Sequence, residues 1–377
     1  MSLKTGNRKF HGGFYFLSIS LLFSFVYSIS LIPIYQLAMR TLHTFFFLAL
    51  AISCASPQVA TEVLVETSDY KTIGSVERYD SDIYKLIPEG AVIEVLASGF
   101  EWSEGPLWLT TQNALIFTDV PTNKIWKWTE EDSLTLFLEP SGYLGTEKNK
   151  KEPGANGLAL DLEGNLILCQ HGERRIAKMN TSIATPTPDF TALASDYEGK
   201  KFNSPNDLVL NNSGQIFFTD PPYGLDDWNP KELDFQGVYR LDTDGTLHLL
   251  LDSLNRPNGI GISPDQKTLY VAQSDAQKAR YYAFELEENG DVKTGKILLD
   301  ATASVGKNLP GLPDGLTVHS SGTLFASGPG GIWVISAEGK HLGTIQTGQG
   351  TSNCTFDEDE RYLYMTADAF LMRIKLN

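Results

Sequence analysis

Basic residues are in short supply. The 377 residues include 30 lysines and arginines against 46 aspartates and glutamates, a net charge of −16. That balance speaks against a nucleic-acid partner, which needs clustered cations to neutralise phosphates. Cysteine is scarcer still: there are three, with no C-x-x-C and no Cys/His spacing, so neither a disulfide framework nor a thiolate zinc site is on offer. There is no G-x-S-x-G for a serine nucleophile. No glycine-rich loop precedes a helix, since Gly328-Pro-Gly-Gly331 joins two strand-like runs, so no phosphate cradle is indicated. Long helical periodicity is missing throughout. The 33 glycines and 18 prolines instead suit many short strands joined by turns, an all-β chain.

The N-terminus stands apart from the rest. Residues 14–39 contain no charged side chain, a run long enough to span a bilayer. A second apolar run, residues 45–52, follows Arg40 and His43. Met39-Arg-Thr-Leu-His with this run reads as a compact secretory signal. Ala51-Ile-Ser-Cys54 resembles a bacterial lipobox in which Cys54 is acylated, although Leu50 sits one place too early. A lipoprotein signal from Met39, an uncleaved anchor over residues 14–36 and an ordinary cleaved signal stand as three readings. All place the domain outside the cytoplasm, exported and in the first reading lipid-anchored, and membrane contact is expected only through this segment. Residues 1–56 are thus a targeting segment, residues 57–88 a polar tether, and residues 89–377 the functional domain. Cys169 and Cys354 fall in strands of different repeats and are read as free and buried.

Six short segments share one register. They are Glu104-Gly-Pro-Leu-Trp, Asn156-Gly-Leu-Ala-Leu, Asn206-Asp-Leu-Val-Leu, Asn258-Gly-Ile-Gly-Ile, Asp314-Gly-Leu-Thr-Val and Asn353-Cys-Thr-Phe. Each begins with a side-chain oxygen donor and runs into an apolar strand. A second strand starts 10 or 11 positions on, at Leu115, Leu166, Ile216, Leu269, Leu324 and Leu363. The donors are spaced 52, 50, 52, 56 and 39 residues apart. Four-stranded units repeating at about 40–50 residues mark a β-propeller, here of six blades. The last unit is too short for four strands, and the run at residues 91–96 is free to supply its outer strand and close the ring.

In a propeller the first strand of each blade lines the central channel, so the six donors meet at one channel mouth. The ends of the second strands return to the same face, bringing Asp119, Gln170, His171, Asp220, Gln273 and Ser274 nearby. An Asn-Gly or Asp-Gly pair is ordinarily a turn, but six donors at one repeat position indicate a shared role. Four Asn, one Asp and one Glu about one axis make an oxygen cage suited to Ca²⁺, which accepts carboxylate and amide oxygens together.

These motifs, with Ser103-Glu-Gly-Pro106, Cys169-Gln-His-Gly172, Asn203-Ser-Pro-Asn-Asp207, Phe218-Thr-Asp-Pro-Pro-Tyr-Gly224, Arg256-Pro-Asn-Gly259 and Pro313-Asp-Gly315, resemble the gluconolactonase, regucalcin (senescence marker) and luciferin-regenerating-enzyme family over residues 90–377, and its bacterial gluconolactonase branch most. The resemblance implies a six-bladed propeller and a divalent cation, Ca²⁺ before Mg²⁺, Mn²⁺ or Zn²⁺, bound by Glu104, Asn258 and Asp314, with Asn206 as a fourth ligand or a substrate contact. It implies a metal-dependent lactonase acting on a sugar lactone such as D-glucono-1,5-lactone. Regucalcin-type members carry an Arg where Ser204 stands, which leaves the sugar specificity open. Asp314 is the candidate base or nucleophile, with Asp220 and His171 as alternative bases. Asn156, His171, Asp220 and Tyr223 are candidate substrate contacts. An esterase or phosphotriesterase on the same cage, and a non-catalytic ligand-binding propeller, are the rival readings.

Overall fold

The computed structural model describes residues 69–147, 150–227 and 231–377, all within the unit Val65–Asn377. The apolar N-terminal run, the Met39 signal and Cys54 lie outside the described residues. Among the described residues the helices are three short 3-10 turns, Ser81–Lys85, Thr110–Gln112 and Thr302–Ser304. Everything else regular is strand, arranged as six antiparallel sheets and one small hairpin.

The six sheets are the blades. Their innermost strands are Ser103–Leu109, Ala155–Leu160, Leu208–Leu210, Pro257–Ile262, Leu316–Val318 and Thr351–Phe356. Neighbouring inner strands touch around the whole ring, the sixth against the first. Second strands are buried on both faces, which is why they read as unbroken apolar runs. Alternation sends their side chains into opposite gaps. In Ala114–Asp119, Leu115 and Phe117 pack toward blade six with Tyr364 and Leu371, while Ile116 packs toward blade two with Leu158 and Leu168. In Leu166–Gln170, Ile167 and Cys169 face blade three. One apolar cluster fills each of the six gaps. Each fully buried Leu, Ile or Phe contributes on the order of 2 kcal/mol. Cys169 and Cys354 are free and buried in this packing.

Closure occurs where the short last repeat demands it. Strand Ile93–Ser98 pairs antiparallel with Phe370–Lys375 and becomes the outer strand of blade six. The chain before it goes further than a tether. Lys71–Ile73 pairs outside Ile93–Ser98, and Ser75–Arg78 pairs with His341–Gln346 on the outer edge of blade five. These two short strands cover edges that would otherwise present unpaired backbone.

Candidate active site at the channel mouth

The donor register has a backbone cause. Inner strands approach so closely at the axis that they hydrogen-bond across blades: Gly157 N–H to the Asn206 carbonyl at 2.7 Å, Gly259 N–H to the Asp314 carbonyl at 2.9 Å, and Gly315 N–H to the Ser352 carbonyl at 2.6 Å. A Cβ on Gly259 would stand 2.2 Å from the Asp314 carbonyl oxygen, and one on Gly157 2.7 Å from Asp207 Oδ1. The glycine after the donor is therefore a close-approach residue rather than a turn residue. Threonines of the preceding blade hold the carbonyls of two other donors: Thr118 Oγ1 donates to Asn156 O at 3.2 Å and Thr219 Oγ1 to Asn258 O at 2.7 Å. Gly259→Ala is expected to cost about 2 kcal/mol by overpacking against backbone and to lower activity by displacing Asp314. Thermal melting and turnover, measured on one preparation, check both.

Glu104, Asn156, Asn206, Asn258 and Asp314 line one cavity of about 520 Å³, together with Tyr223. The first four are almost fully buried. Asn353 does not reach this cavity. It lines a second space of about 210 Å³ farther along the channel, with Asp207. There it donates to the Glu104 and Asp207 carboxylates, so the sixth donor supports the cage from behind.

The ends of the second strands prove to be braces. Asp119 Oδ1 accepts the N–H groups of Glu101 and Trp102, each at 3.1 Å. Asp220 Oδ2 accepts Asn203 N–H at 2.8 Å, and Gln273 Oε1 accepts Asn255 N–H at 3.1 Å. Each ties down the loop that leads into a donor. Asp220, expected as a substrate contact or alternative base, is fully buried and does not line this cavity. Burial pushes its carboxyl up to about 7. His171, also expected as a substrate contact or alternative base, is fully buried, and its Nδ1 lies 3.1 Å from Glu152 Oε2. Glu152, not His171, lines the cavity. Ser274 is the member of the second-strand set that does reach it.

Sequence reasoning assigned no role to Glu152, Trp102, Arg256 or Asp207, although the last two stand in the quoted motifs. Three of them sit beside donors, in Trp102-Ser-Glu104, Arg256-Pro-Asn258 and Asn206-Asp207, where adjacency was the available signal. Arg256 is held at φ 56°, a left-handed backbone that an arginine adopts at a cost and that surrounding structure must enforce.

The cage is strongly acidic in character. Burial first, then the charges of Asp314 and Asp207, hold the Glu104 carboxyl well above the usual range. Burial, then Asp207 and Glu152, do the same to Asp314, against the opposing hydrogen bond from Asn258. Burial raises Asp207 to about 7. Two cavity-lining oxygens, Asn156 Oδ1 and Asp314 Oδ1, are buried without a hydrogen-bond partner. Among the described residues no group of three or more His, Cys, Asp and Glu is placed to hold a metal; a cation here would rely on amide oxygens beside two carboxylates. Unpartnered oxygens and confined negative charge are the chemistry a hard divalent cation satisfies, and the residues fit one.

Comparison with known proteins bears on this site. The family profile described as SMP-30/Gluconolactonase/LRE-like region matches residues 102–369. The chain is 38% identical to the gluconolactonase of Zymomonas mobilis over 313 residues, covering 81% of this chain and 86% of that protein. It is 25% identical over 282 residues to a pentonolactonase of Haloferax volcanii, covering 73% and 84%. A solved structure of a gluconolactonase from Xanthomonas campestris matches with 31% identity and a TM-score of 0.70, covering 82% of this chain and 96% of that one.

Proposed function

The chain belongs to the SMP-30/gluconolactonase/LRE-like family, and from that membership we propose that it hydrolyses a sugar lactone of the D-glucono-1,5-lactone kind with the help of a divalent cation. The observation that carries the reading is the single cavity in which Glu104, Asn156, Asn206, Asn258 and Asp314 meet, with Asp314 Oδ1 buried and unpartnered. A cation, Ca²⁺ before Mg²⁺, Mn²⁺ or Zn²⁺, would be held by Glu104, Asn206, Asn258 and Asp314 and would supply Lewis-acid polarisation of the lactone carbonyl.

The remaining chemistry falls to the side chains. The Asn258 amide, hydrogen-bonded to Asp314, fixes the carboxylate so that Oδ1 faces the cavity as a proton acceptor. A water adding to the carbonyl carbon gives its proton to Asp314 Oδ1. As the ring C–O bond breaks, the proton passes to the departing ring oxygen, leaving an open-chain hydroxy acid. With His171 and Asp220 withdrawn from the wall, Asp314 is the base best supported by the arrangement. Tyr223, hydrogen-bonded to Ser274 and Asn258 and pushed upward by burial, stays a phenol and offers an O–H toward substrate, and Asn156 offers its free amide oxygen.

The cavity lining also includes apolar side chains, Trp102, Val305 and Leu312, which would admit an aryl ester as a second substrate class. The purified chain is expected to release acid from D-glucono-1,5-lactone in a pH-stat above the spontaneous rate, and faster than it cleaves phenyl acetate or an aryl phosphotriester. No acceleration with any lactone would overturn the reading, and a preference for the aryl substrates would transfer it to the esterase class.

A further inference from the structure

We propose that Glu152, braced by His171, is the specificity residue that selects polyhydroxylated lactones, by accepting hydrogen bonds from their hydroxyl groups. The proposal rests on the lactonase reading above. Glu152 lies in residues 139–154, the connection between blades one and two, and lines the same cavity as the cage. It is not one of the repeated donors, so the propeller architecture does not account for its presence there.

Its position is fixed from three sides. The preceding residue is anchored by Lys151 N–H donating to Asp226 Oδ1 at 2.9 Å. Two residues on, Gly154 N–H donates to the Val120 carbonyl at 2.9 Å. The side chain is gripped at Oε2, 3.1 Å from His171 Nδ1. A carboxylate oxygen only accepts, so Nδ1 carries the proton in this contact. The other ring nitrogen of His171, Nε2, is buried without a partner, and a Cβ on Gly224 would come within 2.7 Å of the His171 Cβ. The ring is wedged in place and its one hydrogen bond is spent orienting Glu152. The Glu152 side chain remains 32% exposed, and its second oxygen, Oε1, has no hydrogen-bond partner among the described residues. A held carboxylate with one free acceptor oxygen at a cavity wall calls for an O–H donor. A sugar lactone supplies several; an unsubstituted lactone of the same ring size supplies none. Sites built to hydrogen-bond a substrate hydroxyl discriminate strongly against analogues that lack it.

The test compares D-glucono-1,5-lactone with δ-valerolactone, using the full chain and its Glu152→Ala and Glu152→Gln variants, with thermal melting as the folding control. For the wild type, kcat/KM is expected to favour the hydroxylated lactone. Glu152→Ala should lower kcat/KM for gluconolactone by about 10- to 100-fold, the range of one or two charge-assisted hydrogen bonds. The loss should appear mainly in KM. Because the Glu152 charge also acts on Asp314, δ-valerolactone should respond as well, but kcat/KM for gluconolactone should fall at least about fivefold more than kcat/KM for δ-valerolactone. Glu152→Gln, which removes the charge but keeps a polar group in place, should retain part of the preference. A Glu152→Ala protein that melts normally and loses both substrates equally, or neither, overturns this proposal and leaves the lactonase reading standing. A wild type that opens neither lactone overturns both.

Discussion

Replacing Asp314 with asparagine is expected to lower kcat for lactone hydrolysis by about 10³-fold, with KM changed far less and the propeller intact. The size follows from removing a general base, an effect typically worth 10²–10⁴. The selectivity for kcat follows from the step involved: a proton acceptor acts in the transition state and contributes little to ground-state binding. Asparagine preserves the shape and the amide neighbour Asn258 while removing the basic oxygen. Folding is protected because the backbone of this residue is held without its side chain. Asp314 N–H donates to Ser327 Oγ at 2.9 Å, and its carbonyl accepts from Gly259. Burial disfavours the Asp314 charge, so the cation-free variant should melt at or above the wild-type temperature. Single-turnover kinetics beside melting curves separate these effects. A variant that keeps kcat within tenfold of wild type would remove Asp314 from the role of base.

What the sequence disclosed, and what it did not, follows from how propellers are held together. The period was legible because each blade brings an oxygen-bearing residue to the same crowded axis, and in four of the six a glycine follows it. The Asn-Gly and Asp-Gly pairs recur for that steric reason, visible in the 2.2 Å clearance at Gly259. Strand position also located the ends of the second strands on the correct face. It could not show which way Asp220 and Asp119 turn. Both turn back to accept N–H groups of the incoming loops, since a loop entering a buried strand leaves donors that need partners. Residues 71–78 escaped notice for a related reason. Edge strands are fixed by backbone pairing, as in the match of Val76 with Ile345, and need no strong apolar alternation. Glu152 lay beyond any repeat argument, because the connections between blades are where the repeats cease to resemble one another.

Removing divalent cations by exhaustive chelation is expected to reduce kcat/KM by at least about 100-fold and to lower the melting temperature by several degrees, both reversed by Ca²⁺. The activity loss reflects the missing Lewis acid and the disordered charge of the cage. The stability change is a binding linkage: a ligand at 100 times its Kd adds about 2.7 kcal/mol to the folded state, which is several degrees for a domain of this size. The pH dependence has a definite sign. Glu104 and Asp314 are both held above the ordinary carboxylate range, first by burial and then by neighbouring acidic groups. In the cation-free protein, the stability contributed by their protonated forms is present at low pH and is lost as pH rises through their folded values. A cation competes with those protons, so its apparent affinity should increase with pH. The gap between melting temperatures with and without Ca²⁺ should be wider at pH 8 than at pH 5.5. Glu104→Gln, which removes one of the two cage carboxylates, should shrink the gap at pH 8. Full activity after chelation, with a melting temperature indifferent to Ca²⁺ at both pH values, would leave the cage as a purely polar channel lining.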